Sequence, residues 1–476
     1  MLKIYNTLTK SKEKFVPLNP PFVGIYVCGP TVYDNPHLGH AKSYVSFDVV
    51  VRFLRASGYK VRYVQNITDV GHLLGEGEGE DRVQKKARLE KLEPVEIAQK
   101  YERIYFIYMD LLNCLRPDIS CRATGHIPEM IELVKTLLNK GYAYQTDENV
   151  YFDISKFKEY GKLTGRKVED MLHGSRVKTA EDKKNTADFA LWKKADDLHI
   201  MKWNSPWGEG YPGWHLECSV MSMKYIGPTL DIHGGGLDNQ FPHHECEIAQ
   251  SEAATGEQFV RYWMHNNMVT VEGQKMSKSL GNFITIEDLI KKYDPMTVRF
   301  FVLQGHYRSP QDFSDEALDA AQKGYQKLLR SIEKVRSLLK RENKKKVKLQ
   351  GKWKEFKDQF FESMENDFNT AEAISVLFDL NKYINEKIAD SSITDTELAY
   401  ADHLYSVLSE DILGLSFEHH KQKDGQETEL MGLIIDLRKE FRSQKNWEAA
   451  DFIRDGLKNI GITLEDTKEG TIWRKE

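Results

Sequence analysis

The chain has 476 residues, of which 40% are hydrophobic and 29% are charged, and its formal net charge is −5. This length exceeds what one hydrophobic core supports and predicts about two to four domains, and the negative charge excludes a general attraction to nucleic acid. Residues 1–15 are lysine-rich and no run of about 18 apolar residues occurs, which argues against a secretory signal and a membrane span. Five irregularly spaced cysteines fit a reducing compartment and predict a cytoplasmic protein.

The first part of the chain alternates between strand and helix patterns. A strand is predicted at residues 23–28, a helix at 41–57 and a second strand at 60–67, with Gly58 closing the helix. Strand, helix and strand at this spacing predict a right-handed parallel βαβ unit. A further helical pattern covers residues 83–116.

The pattern becomes mixed over residues 118–205, which we interpret as a subdomain inserted into the first domain. Within it, residues 143–154 predict a hairpin and the charged residues 177–185 predict a loop. Parallel-sheet character returns at residues 229–233 and 260–271, which predicts one sheet built from both sides of the insertion.

Helical periodicity dominates the chain from residue 315 onward. The basic segment 341–352 predicts a solvated linker rather than an RNA contact. The predicted helices cover residues 315–339, 353–364, 370–388, 396–413, 429–443 and 447–460, and a hairpin is predicted at 462–473.

Two short strings predict a nucleotide site. His37-Leu38-Gly39-His40 lies at the start of the predicted first helix, where unpaired backbone N–H groups and the helix dipole favour phosphate. Lys275-Met276-Ser277-Lys278-Ser279 lies in a polar loop whose cations would neutralise charge that develops on a triphosphate. Each string alone is typical of a chance match or a solvated turn. Their order and their large separation fit one doubly wound domain.

A second group of residues is suited to a metal ion. Cys28, Cys218, His243 and Glu247 offer two thiols, an imidazole and a carboxylate, and the last two share one face if a helix starts near residue 242. Spacing does not select them, because neighbouring side chains compete as ligands, namely His244, Glu245 and Cys246. The alternatives are buried apolar cysteines and an exposed polar first turn.

Several longer strings identify the chain as a member of a known family. It resembles the bacterial cysteinyl-tRNA synthetases, a branch of the class I aminoacyl-tRNA synthetases, nearly from end to end. The resemblance is carried by residues 26–34, 213–219, 231–236, 241–245, 275–283, 447–451 and 470–473.

The resemblance implies roles for the residues of both groups. It implies zinc ligands at Cys28, Cys218, His243 and Glu247, with one zinc ion per chain. It implies that the ATP phosphates are contacted by His37 and His40, with Gly39 allowing close approach, and by the lysines of the mobile loop, chiefly Lys278 beside Lys275.

Further side chains are assigned to the amino-acid and nucleotide pocket. They are Gly29, Thr68, Trp214, His233 and Gly235, with a core tryptophan and a simple tight turn as the alternatives for Trp214 and for the glycines. The chain departs from the family after Asp69, where Gly71-His72-Leu73 and an acidic stretch at residues 76–81 replace the common pattern. Cys246 also replaces a residue that is usually polar.

The implied reaction joins L-cysteine to ATP as an adenylate and passes the cysteinyl group to tRNA(Cys), with Mg²⁺ accompanying ATP. We expect a monomer without membrane contacts. A cysteine ligase with an amino-sugar acceptor and a non-catalytic zinc protein that binds RNA are the rival functions.

The fold class implied is α/β, with a Rossmann-like doubly wound parallel sheet as the catalytic domain. The predicted domains are the catalytic halves at residues 1–117 and 206–314, the inserted subdomain at 118–205, an all-α helical bundle at 315–420 and a small anticodon-binding domain at 421–476.

Overall fold

The computed structural model describes the chain except residues 72–81, 148, 167–181, 197–198, 278–279, 340–347, 418, 468–469 and 476. It gives the backbone alone for residues 419–429, 459, 465–467, 470, 472 and 474–475. The acidic stretch at 76–81 and the residues His72, Leu73, Lys278 and Ser279 therefore lie outside the described residues, as do parts of the predicted loop 177–185 and of the linker 341–352.

The first elements build one half of an α/β domain. In chain order they are β1 (Lys3–Asn6), β2 (Ser11–Lys14), β3 (Phe22–Val27), α1 (Leu38–Ala56), β4 (Lys60–Ile67), α2 (Arg82–Glu90), α3 (Pro94–Leu111), β5 (Ile119–Arg122) and α4 (Ile127–Asn139). The single helix predicted over residues 83–116 is wrong, because Pro94 starts a new helix and Lys91 before it adopts a left-handed conformation with φ of 56°. A proline ring inside a helix would remove one hydrogen bond and clash with the preceding turn.

A second sheet forms from the next part of the chain. Its strands are β6 (Ala143–Gln145), β7 (Asn149–Phe152), β8 (Phe189–Lys194), β9 (Trp203–Ser205) and β10 (Gly208–Pro212). They pair antiparallel in the order β6-β7-β8-β10-β9. The predicted hairpin at residues 143–154 is confirmed by the pairing of β6 with β7.

The α/β pattern then resumes. The elements are α5 (Trp214–Tyr225), β11 (Leu230–Gly236), α6 (His243–Thr255), β12 (Val260–Asn266), β13 (Val269–Val271), β14 (Gln274–Lys275), α7 (Ile286–Lys292), α8 (Pro295–Gln304) and β15 (Gln311–Phe313). The strand predicted at residues 260–271 is two strands, because β12 pairs with β11 whereas β13 pairs with β14 and β15 in another sheet.

The central sheet is parallel throughout and has the strand order β12-β11-β3-β4-β5. The chain thus builds the sheet outward from β3 in both directions, which confirms the predicted doubly wound class. In open sheets of this kind, ligands bind beyond the carboxyl ends of the strands at the point where the strand order reverses. That point here is the end of β3, beside β11.

Helices dominate the rest of the chain. They are α9 (Asp315–Leu338), α10 (Gly351–Glu365), α11 (Thr370–Ala389), α12 (Asp395–Leu404), α13 (His419–Ser443) and α14 (Trp447–Asn459), followed by the hairpin of β16 (Ile462–Thr467) and β17 (Gly470–Lys475). The predicted helix at residues 396–413 ends as a π-helix, Tyr405–Ile412. The chain divides into two compact units, Met1–Leu415 and Ser416–Glu476. Among the described helices, none combines the length and apolar composition that crossing a bilayer requires.

A buried ion pair fixes α1 to α8 within the first unit. The Arg299 guanidinium has no exposed surface and pairs with the Asp48 carboxylate of α1. It also donates to the carbonyl oxygens of Leu413 at 2.7 Å and Leu112 at 2.9 Å. The Arg299 side chain of α8 therefore joins α1 to the backbone at Leu112, just after α3, and at Leu413, just after the π-helix.

We expect the change Arg299→Met to lower the free energy of unfolding of this unit by about 3–5 kcal/mol. It removes the fully buried cation beside Asp48, which keeps Arg52 at 2.8 Å as a partner, and it leaves the carbonyl oxygens of Leu413 and Leu112 without this donor. Urea denaturation followed by circular dichroism measures the loss. The matched control is Arg55→Met on the same helix, whose pair with Asp118 is part-exposed and is worth under ~1 kcal/mol. Equal losses for both variants would contradict this interpretation.

Candidate metal and nucleotide site

A cavity of about 360 Å³ opens at the carboxyl end of β3. Residues of both predicted groups line it. From the metal group these are Cys28, Cys218 and His243, and from the nucleotide strings they are His37, Gly39, His40, Lys275 and Met276. The fold therefore brings together two groups that lie far apart in the sequence.

Four buried side chains cluster on one wall of this cavity. Cys28 follows β3, Cys218 lies on α5, and His243 and Glu247 lie one turn apart on α6. One ligand atom from each lies within 4.8 Å of all the others. The alternative of an exposed polar first turn is wrong, because residues 243–247 are all buried.

The distances within the cluster fit a tetrahedral metal ion. The Sγ atoms of Cys28 and Cys218 lie 3.9 Å apart. Two sulfur ligands with Zn–S bonds of about 2.3 Å lie roughly 3.8 Å apart in a tetrahedral site. The carboxylate of Glu247 is 3.9 Å from Cys28 Sγ and 3.0 Å from His243 Nε2. The cluster could therefore hold a metal ion.

A second ligand set overlaps the first. Cys28 and Glu247 also lie within the same 4.8 Å limit of His233 and His244. His244 Nε2 is 3.2 Å from Cys28 Sγ, and His233 Nε2 is 2.8 Å from Glu247 Oε2. His244 thus remains a competing ligand, as its position in the sequence suggested.

The other two competitors have different partners. The Glu245 carboxylate accepts from the backbone N–H of Gly161 at 2.9 Å and of Thr164 at 3.1 Å. Cys246 Sγ lies 3.4 Å from the Tyr160 hydroxyl. Within the described residues, neither belongs to a group that could hold a metal ion.

The charges in the cluster favour a cation. Burial raises the pKa of Glu247, but the charges of His233 and His243 outweigh burial and bring that pKa to about 2. Burial lowers the pKa of His243, but Glu247 and Cys218 outweigh burial and bring it to about 10. Burial also raises the pKa of Cys218, yet the hydrogen bond from Cys28 holds it below its usual value. Burying two anionic groups such as the Glu247 carboxylate and a Cys218 thiolate is costly unless a positive charge lies beside them.

Outer hydrogen bonds orient both candidate histidines. His243 Nδ1 lies 2.9 Å from His215 Nδ1, and His244 Nδ1 lies 2.7 Å from His265 Nε2. Such contacts fix the ring orientation of metal-binding histidines. The indole of Trp214 stacks on His243 with ring centroids 4.2 Å apart. Trp214 is 38% exposed, so the alternative of a core tryptophan is wrong.

The start of α1 differs from the prediction. The helix begins at Leu38, with His37 as its N-cap. His37 Nδ1 accepts from the N–H of Gly39 at 3.1 Å, and His40 Nδ1 accepts from the N–H of His37 at 3.2 Å. The N–H of Leu38 donates to Ile284 O at 3.0 Å. The prediction of unpaired backbone donors is therefore wrong, because the histidines cap their own helix.

The two imidazoles present their faces to each other. The rings of His37 and His40 stack with centroids 3.9 Å apart. Burial, together with the charge of His37, lowers the pKa of His40 well below its usual range. His40 is therefore neutral at pH 7 and acts as a hydrogen-bonding group rather than as a charge.

The lysine loop leaves the exposed strand β14 at Lys275. Asn282 closes the loop: its Oδ1 accepts from the N–H of Ser277 at 2.8 Å, and its amide donates to Lys275 O at 3.2 Å. Sequence reasoning did not single out Asn282, since a lone asparagine after a loop carries no distinctive pattern. Lys278, the principal lysine of the prediction, lies outside the described residues.

Thr68 and Gly29 line the cavity next to Asn66 at the end of β4. Asn66 Oδ1 accepts from the N–H of Gly29 at 2.7 Å, and its amide donates to Thr68 Oγ1 at 3.0 Å. The Thr68 hydroxyl donates to the buried carboxylate of Glu217 at 2.9 Å. A Cβ atom at position 29 would lie 1.6 Å from Asn66 O, so only glycine fits there. Asn66 and Glu217 were missed, because neither a polar residue at the end of a strand nor an acidic residue in the first turn of a helix has a motif of its own.

His233 and Gly235 do not line the cavity. His233 is fully buried and faces Glu247. A Cβ atom at position 235 would lie 2.8 Å from the His244 ring. The alternative of a simple tight turn at these glycines is wrong, because the strand β11 continues to Gly236. Gly236 does line the cavity. The assignment of His233 and Gly235 to the nucleotide pocket stays a prediction.

The chain matches known proteins over its whole length. A family model described as the class I (C) tRNA synthetase catalytic domain matches residues 14–323, and a DALR domain model matches residues 359–418. The chain is 52% identical to the cysteine–tRNA ligase of Chlorobium chlorochromatii, over 99% of each protein. It is 49% identical to a cysteine–tRNA ligase of Thermus thermophilus, over 100% of this chain and 99% of that protein.

A solved structure of more distant sequence shares the fold. The methionyl-tRNA synthetase of Mycobacterium tuberculosis in complex with methionyl-adenylate aligns with a TM-score of 0.61 and 17% identity. The alignment covers 83% of this chain and 92% of that one. This likeness concerns the fold alone; the family model over residues 14–323 and the full-length relatives show that the chain belongs to the cysteine–tRNA ligase family of the class I tRNA synthetases.

Proposed function

We propose that the chain activates L-cysteine with ATP and transfers the cysteinyl group to tRNA(Cys). In the first step the cysteine carboxylate attacks the α-phosphate of ATP, which gives cysteinyl-adenylate and pyrophosphate. In the second, the terminal ribose hydroxyl of the tRNA takes the cysteinyl group and AMP leaves. The observation that carries the proposal is the single cavity lined by Cys28 and Cys218 together with His37, His40 and Lys275.

The proposal assigns one zinc ion to the buried tetrad of Cys28, Cys218, His243 and Glu247. The donor set suits zinc, and the sulfur separation of 3.9 Å supports the assignment. When bound, zinc supplies a soft, cationic position that prefers a thiolate to the harder and less acidic hydroxyl of serine. A hydrophobic pocket alone would discriminate poorly between side chains that differ by one atom. The side chain of Trp214 stacks on His243 and lines the cavity next to this position.

The proposal assigns the nucleotide to the other wall of the cavity. The rings of His37 and of the neutral His40 orient the phosphates by hydrogen bonding, with Mg²⁺ accompanying ATP. Lys275, and Lys278 beyond it, supply positive charge that offsets the charge developing on the leaving pyrophosphate. The rate enhancement then comes from positioning and from charge stabilisation, without a covalent enzyme intermediate.

The proposal places the protein in the cytoplasm as a monomer. The tRNA contacts fall to the helical segments and to the C-terminal unit, Ser416–Glu476. The assignment of residues 421–476 to anticodon binding is part of the same proposal. The amino-sugar ligase is the weaker alternative, because the full-length relatives span 99% of this chain.

We expect cysteine-dependent exchange of labelled pyrophosphate into ATP, and transfer of labelled cysteine to tRNA(Cys), by the purified full chain. The same assay with an amino-sugar acceptor is the control for the rival enzyme, and serine replaces cysteine as the control for the pocket. Exchange without transfer to tRNA would overturn the second step. If the chain catalysed neither reaction, the non-catalytic binding protein would replace the enzyme as the proposed function.

We expect the change Cys218→Ser to abolish zinc binding and cysteine binding and to leave ATP binding mostly intact. A hydroxyl is a poor zinc ligand in place of a thiolate, whereas the nucleotide wall keeps its residues. Metal analysis and equilibrium dialysis with each substrate measure the three quantities. Wild-type cysteine affinity in the metal-stripped protein would be incompatible with the assigned role of the ion.

The two overlapping ligand sets give opposite outcomes for the neighbouring histidines. If His243 is the ligand, His243→Ala loses zinc affinity by about 100-fold or more, and His244→Ala, which removes only a neighbour of the site, loses at most about 10–100-fold. Competition with a chromophoric chelator measures both affinities on folded protein. A larger loss for His244→Ala would move the ion to the set with His233.

A further inference from the structure

Lys42 is a buried cation just after the nucleotide string. It lies on α1, and its residue is only 1% exposed. Its ammonium donates to Ser309 O at 3.0 Å and to Gln311 Oε1 at 3.2 Å. Among the described residues, no carboxylate forms an ion pair with it. Burial lowers the pKa of Lys42 to about 8.

Burying an ammonium without a counter-ion is unfavourable. An apolar side chain of similar length would fill the same space without losing the hydration of a charge. The packing of α1 therefore does not explain why a lysine occupies this position. Its two acceptors are Ser309, two residues before β15, and Gln311, the first residue of β15, so the contacts of β15 indicate the role of Lys42.

The residues that accept hydrogen bonds from Lys42 are connected to the upstream end of the lysine loop. Gln311 pairs with Val269 across β15 and β13, and its N–H donates to Met268 O at 3.2 Å. The next strand, β14, pairs with β13 through Thr270 and Lys275. Lys42 is therefore linked through two strand pairings to the residue where the loop begins.

The downstream side of the loop is also attached to α1. The N–H of Leu38 donates to Ile284 O at 3.0 Å, and the N–H of Ile286 donates to Pro36 O at 2.9 Å. The downstream attachment uses backbone groups that any sequence provides. The upstream attachment uses a side chain, so it depends on the identity of residue 42.

We propose that Lys42 is a positioning residue that holds the upstream base of the lysine loop at a fixed distance from His37 and His40. This inference rests on the proposed adenylate-forming function. Lys42 does not line the cavity, and both of its hydrogen bonds are to protein oxygens, so it acts through Gln311 and Ser309 rather than on ATP. A displacement of reacting groups by about 1 Å can cost on the order of 100-fold in rate.

The test compares Lys42→Met and Lys42→Arg in the full chain with zinc bound, by cysteine-dependent pyrophosphate exchange. We expect Lys42→Met to lower kcat by about tenfold or more with the KM for cysteine changed less than about twofold, since the metal wall is untouched. Lys42→Arg keeps a donor for both oxygens and retains kcat within about threefold. The change Arg55→Met, at a part-exposed cation on the same helix, is the matched control.

Hydrogen exchange separates positioning from a general loss of structure. In Lys42→Met we expect faster amide exchange confined to residues 268–276 and 309–313, with α6 and the central sheet unchanged. The second variant, Gln311→Leu, reproduces the kcat loss, and the double variant loses no more than either single one, because the two residues act as a unit.

Wild-type kcat in Lys42→Met, equal losses in Lys42→Met and Lys42→Arg, or faster exchange throughout the first unit would overturn the inference. If the wild-type chain itself lacks exchange activity, the proposed function fails instead, and the hydrogen-exchange comparison still tests whether Lys42 holds the strands.

Discussion

The structure around the cavity depends on one electrostatic constraint, the burial of negative charge on α6. Glu247 has no exposed surface and meets His233 and His243, while two cysteine thiols approach from β3 and α5. A buried carboxylate is stable only with positive charge and hydrogen bonds around it. The need for a cation at this point therefore fixes where α5 and α6 sit against the end of β3. A metal ion held by the four side chains would supply the positive charge that the proton on His243 otherwise supplies. Its binding would displace that proton.

The second organising element is the start of α1. The side chains of His37 and His40 accept from the N–H groups of Gly39 and His37, and the N–H of Leu38 donates to Ile284 O, so a phosphate bound here would meet the imidazole rings rather than these backbone donors. The same turn carries the backbone attachment of the lysine loop through Leu38. A single helix end therefore determines the position of the rings and of the downstream base of the loop. Helix packing holds this end in place, since Asp48 on the same helix is paired with Arg299 in the interior.

The sequence predicted the features that depend on residues close together along the chain. The spacing of His243 and Glu247 placed both on one face of α6, and alternating strands and helices indicated the doubly wound sheet. Pro94 marks the break between α2 and α3, but the helical periodicity continues on both sides of it, so one helix was predicted over residues 83–116. Three features could not be predicted, because each depends on contacts between distant segments: the closeness of His244 to Cys28, the closing of the loop by Asn282, and the buried position of Lys42. The four boundaries between the predicted domain segments stay predictions.

The order of residues along β3 explains how selection and activation are joined in one cavity. Cys28 follows the strand, Gly29 packs directly on Asn66, and the short segment after it leads to His37. The absence of a side chain at Gly29 lets the backbone after β3 lie directly against Asn66 of β4, and Cys28 and Thr68 line the same cavity. An amino acid held by its sulfur near Cys28 would then extend its carboxylate along this wall toward the histidines. Under the proposed function, the short segment from Cys28 to His37 would set the distance between the bound sulfur and the attack on phosphate, and a longer or wider amino acid would be misplaced relative to ATP even if its side chain were tolerated.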